Sequence, residues 1–219
     1  MKKYFSLFLL ISPVFLVAQV FHFEENNNGE NLNHRIMMDQ EYFIETVYST
    51  ENGAFILTRG GYYTASSNEI NVVFEFNSNY TTDSLKTLRY NGKEEWENVS
   101  LSSQVLDGKW LMAGRVNSEG EQRRDLTRSR KTMKFLIDGY FQWIAFDTKT
   151  YRFSGAGGGQ FQAKNNTYEE SIEYFSRDNS KIGNKLPFTY LLKKEDWYHQ
   201  GLNSRGEPLH EIWHKRTNQ

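Results

Sequence analysis

The chain has 219 residues, with 26 basic and 27 acidic side chains, 16% aromatic residues and no cysteine. The near-zero net charge excludes a general attraction to nucleic acid or to acidic membranes, and the lack of cysteine excludes a disulfide framework and a lipid-modified cysteine. The many aromatic residues favour an all-β protein, because such side chains pack well on pleated strands.

The N-terminus has the layout of a secretory signal peptide. Lys2 and Lys3 precede an apolar run over residues 4–18, which is shorter than the about 20 residues that a membrane-spanning helix needs. We predict that residues 1–18 are a signal peptide cleaved near Ala18. The mature protein is therefore expected to be secreted or periplasmic, with no integral membrane segment.

The chain contains a candidate internal repeat. A shift of 98 positions lays residues 42–78 over residues 140–176 without a gap, and ten of the 37 pairs are identical. Glu75 and Glu173 form one of the identical pairs. A carboxylate at matching places in both copies is interpreted as serving a turn or a cross-strand pair rather than catalysis.

The repeat divides the mature chain into two parts. Residues 19–104 form a partial β repeat that lacks counterparts of the first and last strands of the second copy, although FHFEE at residues 21–25 is a candidate first strand. Residues 105–219 form the more complete copy. Without that first strand, the first copy is an open sheet that must lean on the second, because an uncovered sheet edge invites aggregation.

The second copy is a series of short strands separated by turns. We predict strands at residues 105–116, 132–137, 140–146, 167–175, 186–193, 197–200 and 209–215. Residues 117–131 are polar and are predicted to be a loop. Sequential hairpins favour an up-and-down antiparallel barrel. In YFQWIAF at residues 140–146 both faces are apolar, which predicts a strand covered on both sides.

A glycine-rich stretch, GAGGGQFQA, raises the question of a phosphate-binding loop. Such a loop leads into a helix whose N-terminus faces the anion, but strand-like sequence follows these glycines and no Gly-Lys-Ser/Thr motif is present. We therefore predict a bulge or a sharp bend in a strand, a structural role for which the lack of a Cβ is useful. The residues concerned are Gly155, Gly157, Gly158 and Gly159.

Several short motifs in the second copy carry a family resemblance. They are DGKW at 107–110, IDGYFQWIAFD at 137–147, GAGGGQF at 155–161, TYEESIEYFS at 167–176, WYHQG at 197–201 and LHEIW at 209–213. With these motifs, residues 106–216 resemble the small secreted lipocalin-like proteins of Gram-negative bacteria, members of the calycin group. The resemblance implies an antiparallel barrel of eight to ten strands, with a function that is mostly unassigned in the family.

The resemblance also implies a structural contact at the closed end of the barrel. Calycins commonly place a Gly-x-Trp motif on the first strand and a basic residue of the last strand over the indole. Gly108 and Trp110 match the motif, and Arg216 or Lys215 is the expected basic partner in a cation–π contact.

Aromatic side chains dominate the candidate barrel interior, which small barrels either fill or use to hold one ligand. The candidate lining residues are Phe141, Trp143, Phe161, Tyr190, Trp197 and Trp213. Tyr198, His199 and His210 are candidate polar groups that orient a ligand, and His199 and His210 are expected to be near neighbours across a hairpin. We expect a non-enzymatic protein that binds a small apolar or amphiphilic molecule. The alternative is an interaction module with a filled core that binds a protein or a glycan on its outer surface.

The sequence gives little support for catalysis, and we predict no catalytic residue, metal or cofactor. GxSxG and cysteine nucleophiles are absent. Glu169 and Glu170 are strand neighbours that point to opposite faces and so do not flank one bond. His210 and His214 are separated by about 13 Å along a strand, too far to share a metal.

Basic residues crowd the polar segment after the first predicted strand of the barrel and the start of the second strand. They are Arg123, Arg124, Arg128, Arg130, Lys131 and Lys134. One interpretation is a patch for an anionic partner. The other, which we favour from sequence, is a solvated loop whose charge is partly offset by Glu119, Glu121 and Asp125.

Overall fold

The computed structural model describes residues 18–66, 69–91, 95–203 and 205–217. These residues form two antiparallel sheets, which confirms the all-β prediction. The predicted signal peptide, apart from Ala18, lies outside the described residues. Within the part of the chain that is described, no helix is long and apolar enough to cross a membrane.

The N-terminal sheet has seven strands in the order β6-β5-β4-β3-β2-β1-β7 and curls into a half-barrel. Its strands are β1 (Gln19–Asn27), β2 (Glu30–Met38), β3 (Tyr42–Ser49), β4 (Phe55–Ala65), β5 (Glu69–Asn77), β6 (Thr87–Asn91) and β7 (Glu97–Asn98), with a single helical turn α1 (Tyr80–Asp83) before β6. FHFEE lies within β1, which pairs with β2 along its whole length.

The C-terminal sheet closes into a barrel of eight strands, because β8 pairs with both β10 and β16. Its strands are β8 (Gly108–Asn117), β10 (Arg130–Ile137), β11 (Tyr140–Asp147), β12 (Phe153–Lys164), β13 (Thr167–Phe175), β14 (Lys185–Lys193), β15 (Asp196–Leu202) and β16 (Pro208–Lys215). Each strand from β10 to β16 pairs with the next one along the chain, so this part of the barrel is an up-and-down meander.

One further strand corrects the prediction of a loop over residues 117–131. Strand β9 (Gly120–Arg123) forms a hairpin with the end of β8, outside the closed circle of strands. All four of its residues are exposed. Hydrophobic alternation could not reveal this strand, because it buries no face and is held by backbone pairing and by polar contacts of Glu121 and Arg123 with β15.

The half-barrel packs on the outer face of the closed barrel through one shared hydrophobic cluster. The cluster includes Val20, Met37, Tyr42, Ile44 and Phe76 of the half-barrel and Leu111, Met133, Phe135, Tyr140, Ile144 and Phe146 of the barrel. This contact accounts for the two apolar faces of β11. Phe141 points into the barrel, whereas Tyr140 and Ile144 pack against the half-barrel. Full burial of each such side chain contributes roughly 1.5–3 kcal/mol.

The glycine-rich stretch lies within the long strand β12, and no helix follows it. The pairing of β12 with β13 shifts register between Gly158 and Gly159. In the half-barrel, the pairing of β4 with β5 shifts in the same way between Gly60 and Gly61. Gly159 has a φ of +155°. The glycine-rich stretch therefore has a structural role, because it forms a β-bulge in the pairing of β12 with β13.

Candidate functional site

The closed barrel is hollow at one end, where a cavity of about 610 Å³ opens to solvent. Inward positions follow one another in steps of two along each strand. On β10, Arg130, Thr132 and Lys134 line the cavity from its opening inward, and Leu136 belongs to the packed core beyond it. The volume falls within the roughly 300–1,000 Å³ that is common for sites of small molecules.

The other end of the barrel is filled. Its core contains Leu106, Trp110, Leu136, Phe141, Phe161, Tyr168 and Trp197. The Trp110 indole N–H donates to the Leu106 carbonyl oxygen at 2.8 Å. Lys215 Nζ lies 5.5 Å from the Trp110 ring centre, within the range of a cation–π contact. Arg216, the other candidate for this contact, turns away to the half-barrel, where it binds Glu75.

The middle of the cavity wall is mostly apolar. The apolar lining residues are Met112, Trp143, Ala145, Ile172, Phe175, Leu186, Phe188, Leu209 and Trp213. They come from five different strands of the barrel. A molecule that enters the cavity therefore exchanges water for apolar side chains on several sides, which is favourable for an apolar body.

The floor of the cavity holds a buried ion pair. Lys134 Nζ lies 2.6 Å from Glu170 Oε1, and both side chains are only 6% exposed. The Tyr168 hydroxyl donates to the same Glu170 oxygen at 2.9 Å. Lys134 Nζ also lies between 5.0 and 5.7 Å from the ring centres of four aromatic residues: Tyr168, Phe188, Trp197 and Trp213. The positive charge of Lys134 is thus compensated by the carboxylate of Glu170 and by the faces of the surrounding aromatic rings.

His199 is a second polar residue on this floor, and its ring is 2% exposed. Neither of its ring nitrogens has a hydrogen-bond partner among the described residues, since the nearest carboxylate oxygen, on Glu211, is 3.6 Å from Nδ1. Burial, reinforced by the positive charge of Lys134, lowers the pKa of His199 to about 4. A neutral imidazole therefore offers one donor and one acceptor beside the cavity.

Glu211 completes the polar part of the wall. Burial disfavours its charge, but His199, Lys134 and Arg115 favour it, so its pKa lies below the ordinary value. The Trp213 indole N–H donates to Glu211 Oε2 at 3.2 Å. Glu211 is thus a charged, oriented acceptor between the floor and the opening.

The opening is lined by basic side chains, which we call the basic rim. Its members are Arg115, Arg124, Arg130, Arg177, Lys181 and Arg205. Within the described part of the chain, Arg124 and Arg130 form no ion pair, and the only carboxylate among the cavity-lining residues outside Glu170 and Glu211 is Asp178. The rim therefore carries an excess of positive charge.

The structure divides the predicted lining residues between the cavity and the core. Trp143, His199 and Trp213 line the cavity. Phe141, Phe161 and Trp197 pack beyond its floor, and Tyr190 packs against the same core without lining the cavity. The candidate aromatic residues are thus divided between a cavity wall at one end of the barrel and a packed core at the other.

Two predicted orienting residues lie on the outside of the barrel. The Tyr198 hydroxyl donates to Glu121 on the surface at 2.6 Å. In the pairing of β15 with β16, His199 is opposite Glu211 and His210 is opposite Gln200, so His210 shares the outer face with Tyr198. This corrects the expectation that His199 and His210 meet, because strand neighbours alternate between faces.

Sequence reasoning named Glu170 and Lys134 but assigned neither of them to the barrel interior. Glu170 follows Tyr168 and precedes Ile172 at inward positions of β13, and Lys134 stands between Thr132 and Leu136 on β10. On β13, a charge that interrupts an inward apolar series is the signal that was available for Glu170. On β10, Lys134 follows the polar residues Arg130 and Thr132, so no such signal was available, and neither strand could show that the two residues pair.

The sequence matches no protein-family model, and no curated protein matches it. Among the described residues there is also no group of three or more side chains placed to bind a metal ion. The geometry of the cavity is therefore the basis for assigning a function.

Proposed function

We propose that this protein binds one small amphiphilic molecule in the cavity of its closed barrel. The observation that carries the proposal is a cavity of about 610 Å³ with an apolar middle and polar groups at both ends. A filled interior is what the alternative, an interaction module acting only through its outer surface, requires. The cavity favours the binding protein.

His199 has the orienting role in this proposal. A buried polar group without a partner costs about 1–3 kcal/mol. The two ring nitrogens of His199, which have no hydrogen-bond partner among the residues that the structure describes, lie at the floor of the cavity. A ligand whose inner end carries a hydroxyl or carbonyl group satisfies one of them. Binding then combines burial of an apolar body with a directional hydrogen bond at its inner end.

We further propose that the protein is an exported member of the calycin group. The closed eight-stranded barrel and the position of Lys215 over Trp110 support the family. The basic start and apolar run of the first 18 residues support export to the periplasm or beyond. A cysteine-free protein held together by its apolar cores is consistent with either location.

Titration with N-phenyl-naphthylamine, an uncharged dye whose fluorescence rises in apolar surroundings, tests binding in the cavity. Thr132 lines the cavity, so Thr132→Trp fills part of it, whereas Thr189→Trp places the same side chain at an exposed position of β14. We expect saturable binding by the wild type and by Thr189→Trp, and strongly reduced binding by Thr132→Trp. No saturable binding, or equal binding by all three proteins, contradicts the proposal.

Native mass spectrometry of the protein purified from its own source is the complementary experiment. A reproducible extra mass that dissociates on unfolding supports a natural ligand and gives its identity. The Thr132→Trp protein purified in the same way is the matched control, and it should carry less of that mass.

A further inference from the structure

We infer that the ligand is an anion, an amphiphile that places a carboxylate, sulfate or phosphate group at the basic rim and its apolar body in the cavity. This inference rests on the proposed function and deepens it by naming the chemical class of the ligand.

The basic rim is assembled from five separate segments of the chain. Arg115 lies on β8, Arg124 follows β9, Arg130 begins β10, and Arg205 lies in the loop before β16. The fifth segment, after β13, supplies Arg177 and Lys181. Positive charges drawn from distant parts of the sequence repel one another around a single opening, and an anion relieves that repulsion.

The carboxylates near the opening cancel only part of this charge, and one of them, Glu207, lies 2.7 Å from the guanidinium of Arg205. Lys134 compensates the negative charge of Glu170 at the floor. Asp178 Oδ2 lies 3.8 Å from Lys181 Nζ. Glu211 is 3.9 Å from Arg115. Arg124 and Arg130, which have no ion-pair partner within the described residues, stay available for an incoming anion.

Arg130 also leads directly into the hollow part of the barrel. It begins the inward series of β10, and Thr132 and Lys134 follow it toward the floor. A ligand whose anionic group binds Arg130 at the opening can therefore extend its apolar body along β10 into the cavity. An arginine binds carboxylate or phosphate oxygens with two parallel hydrogen bonds, which fixes the orientation of the bound group.

A pair of dyes with one ring system tests the sign of the ligand charge. Anilinonaphthalene sulfonate carries a sulfonate, whereas N-phenyl-naphthylamine has the same rings without it. We expect the wild type to bind the sulfonate dye more tightly than the uncharged dye. Rising salt concentration should weaken the binding of the sulfonate dye only. The double variant Arg124→Gln, Arg130→Gln should weaken the affinity for the sulfonate dye about fivefold to tenfold. It should change the affinity for the uncharged dye by less than about twofold.

Arg128→Gln is the matched control for the rim variant. Arg128 is exposed on the same connection and pairs with Asp125, but it does not line the cavity. Its removal lowers the net charge of the region and should leave the binding of both dyes unchanged. A loss of sulfonate binding free energy that is equal per removed charge in the control and in the rim variant overturns the inference, because binding then follows net charge alone.

Competition experiments identify the source of the anionic group. Displacement of the sulfonate dye by free dodecanoate, and not by dodecanol, supports a free anionic amphiphile. Displacement by phosphatidylglycerol vesicles, and not by phosphatidylcholine vesicles, supports an anionic lipid taken from a membrane. Displacement by dodecyltrimethylammonium as effective as that by dodecanoate overturns the inference. Binding of both dyes with equal affinity at all salt concentrations also overturns it but leaves the proposed function intact, whereas binding of neither dye contradicts the proposed function itself.

Discussion

The rings of Phe55 and Phe153 stack against each other across the contact between the half-barrel and the barrel. Their centroids are 5.8 Å apart and their planes differ by 1°. The two residues are separated by 98 positions, the same shift that aligns the two candidate repeat copies. In a twofold symmetric dimer, a residue that touches its own copy lies on the symmetry axis.

Other contacts across this boundary occur in reciprocal pairs. Tyr48 of the half-barrel packs on Tyr174 of the barrel, with centroids 4.8 Å apart. Phe146 and Phe76, which are the counterparts of Tyr48 and Tyr174 under the same shift, lie 4.9 Å apart. When residue i contacts residue j and the counterparts exchange roles, the interface has the pattern of two related halves. The internal duplication remains a prediction, and this pattern supports it.

The repeated carboxylates also take part in contacts across this boundary, although their arginine partners do not correspond under the shift of 98 positions. Arg216 of the barrel donates two hydrogen bonds to Glu75 of the half-barrel, at 2.8 and 2.9 Å. In the other direction, Arg35 of the half-barrel donates to Glu173 of the barrel at 2.9 Å. Glu75 and Glu173 therefore join the two sheets, whereas the sequence suggested a turn or a cross-strand pair within one sheet.

The first prediction concerns the stability of this contact between the sheets. Arg216→Gln leaves the carboxylate of Glu75, which is 18% exposed, without its bidentate partner. We expect the free energy of unfolding, measured in urea, to fall by about 2–4 kcal/mol. Arg128→Gln, at an exposed position with one weak ion pair, should stay within about 0.5 kcal/mol of the wild type. Equal effects of the two substitutions contradict a role for Arg216 in joining the sheets.

A second prediction addresses the ion pair at the cavity floor. Lys134→Met leaves Glu170 buried without a counter-charge, and we expect a loss of about 3–5 kcal/mol in the free energy of unfolding. Adding Glu170→Met should restore most of this loss, because a buried ion pair can often be replaced by apolar side chains of similar volume. Urea unfolding followed by tryptophan fluorescence measures both. A double variant as unstable as the single one is the contrary outcome.

The third prediction is a pH dependence that comes from His199. Its pKa is about 4 in the folded protein, below the 6.5 that is ordinary for histidine, because burial and then Lys134 disfavour its charge. Between these values the unfolded chain binds the additional proton, so stability falls as the pH is lowered through this window. We expect His199 to account for about 2 kcal/mol of the stability lost between pH 7 and pH 5.

Matched glutamine variants isolate that contribution. His199→Gln removes the titrating group, and its stability should depend less steeply on pH between about 7 and 5 than that of the wild type. His210→Gln, on the outer face, should keep the steep dependence of the wild type. Urea midpoints at several pH values provide the measurement. Parallel curves for the wild type and His199→Gln rule out the assigned role.

The fourth prediction concerns the bulge in β12. A Cβ added to Gly159 meets the Ser171 carbonyl oxygen and lies 2.8 Å from the Glu173 backbone nitrogen, whereas a Cβ added to Gly183 meets nothing within 4 Å. Both residues have positive φ. Gly183→Ala should therefore cost only the backbone strain, about 1 kcal/mol, and Gly159→Ala about 3 kcal/mol or more. Thermal unfolding compares the two, and similar melting temperatures count against a steric requirement for Gly159.

The sequence by itself determined the elements whose physical cause is local. Short stretches bounded by turns indicated most of the barrel strands, and the two apolar faces of YFQWIAF indicated that β11 is covered on both sides. The strand-like sequence after the glycine stretch and the lack of a Gly-Lys-Ser/Thr motif argued against a phosphate-binding loop. The polar strand β9 was missed because it has no apolar face to leave a pattern.

Only the tertiary structure decided how those elements meet, because strand register and barrel closure depend on pairing between distant residues. Closure brings Arg124 and Arg130 to the same opening as Arg177 and Arg205, pairs Lys134 with Glu170, and leaves His199 inside while His210 stays outside. A shift of one residue in any of these pairings exchanges the inner and outer faces of a strand. The hollow end, its basic rim and its polar floor are therefore properties of the closed barrel, and no single stretch of sequence contains them.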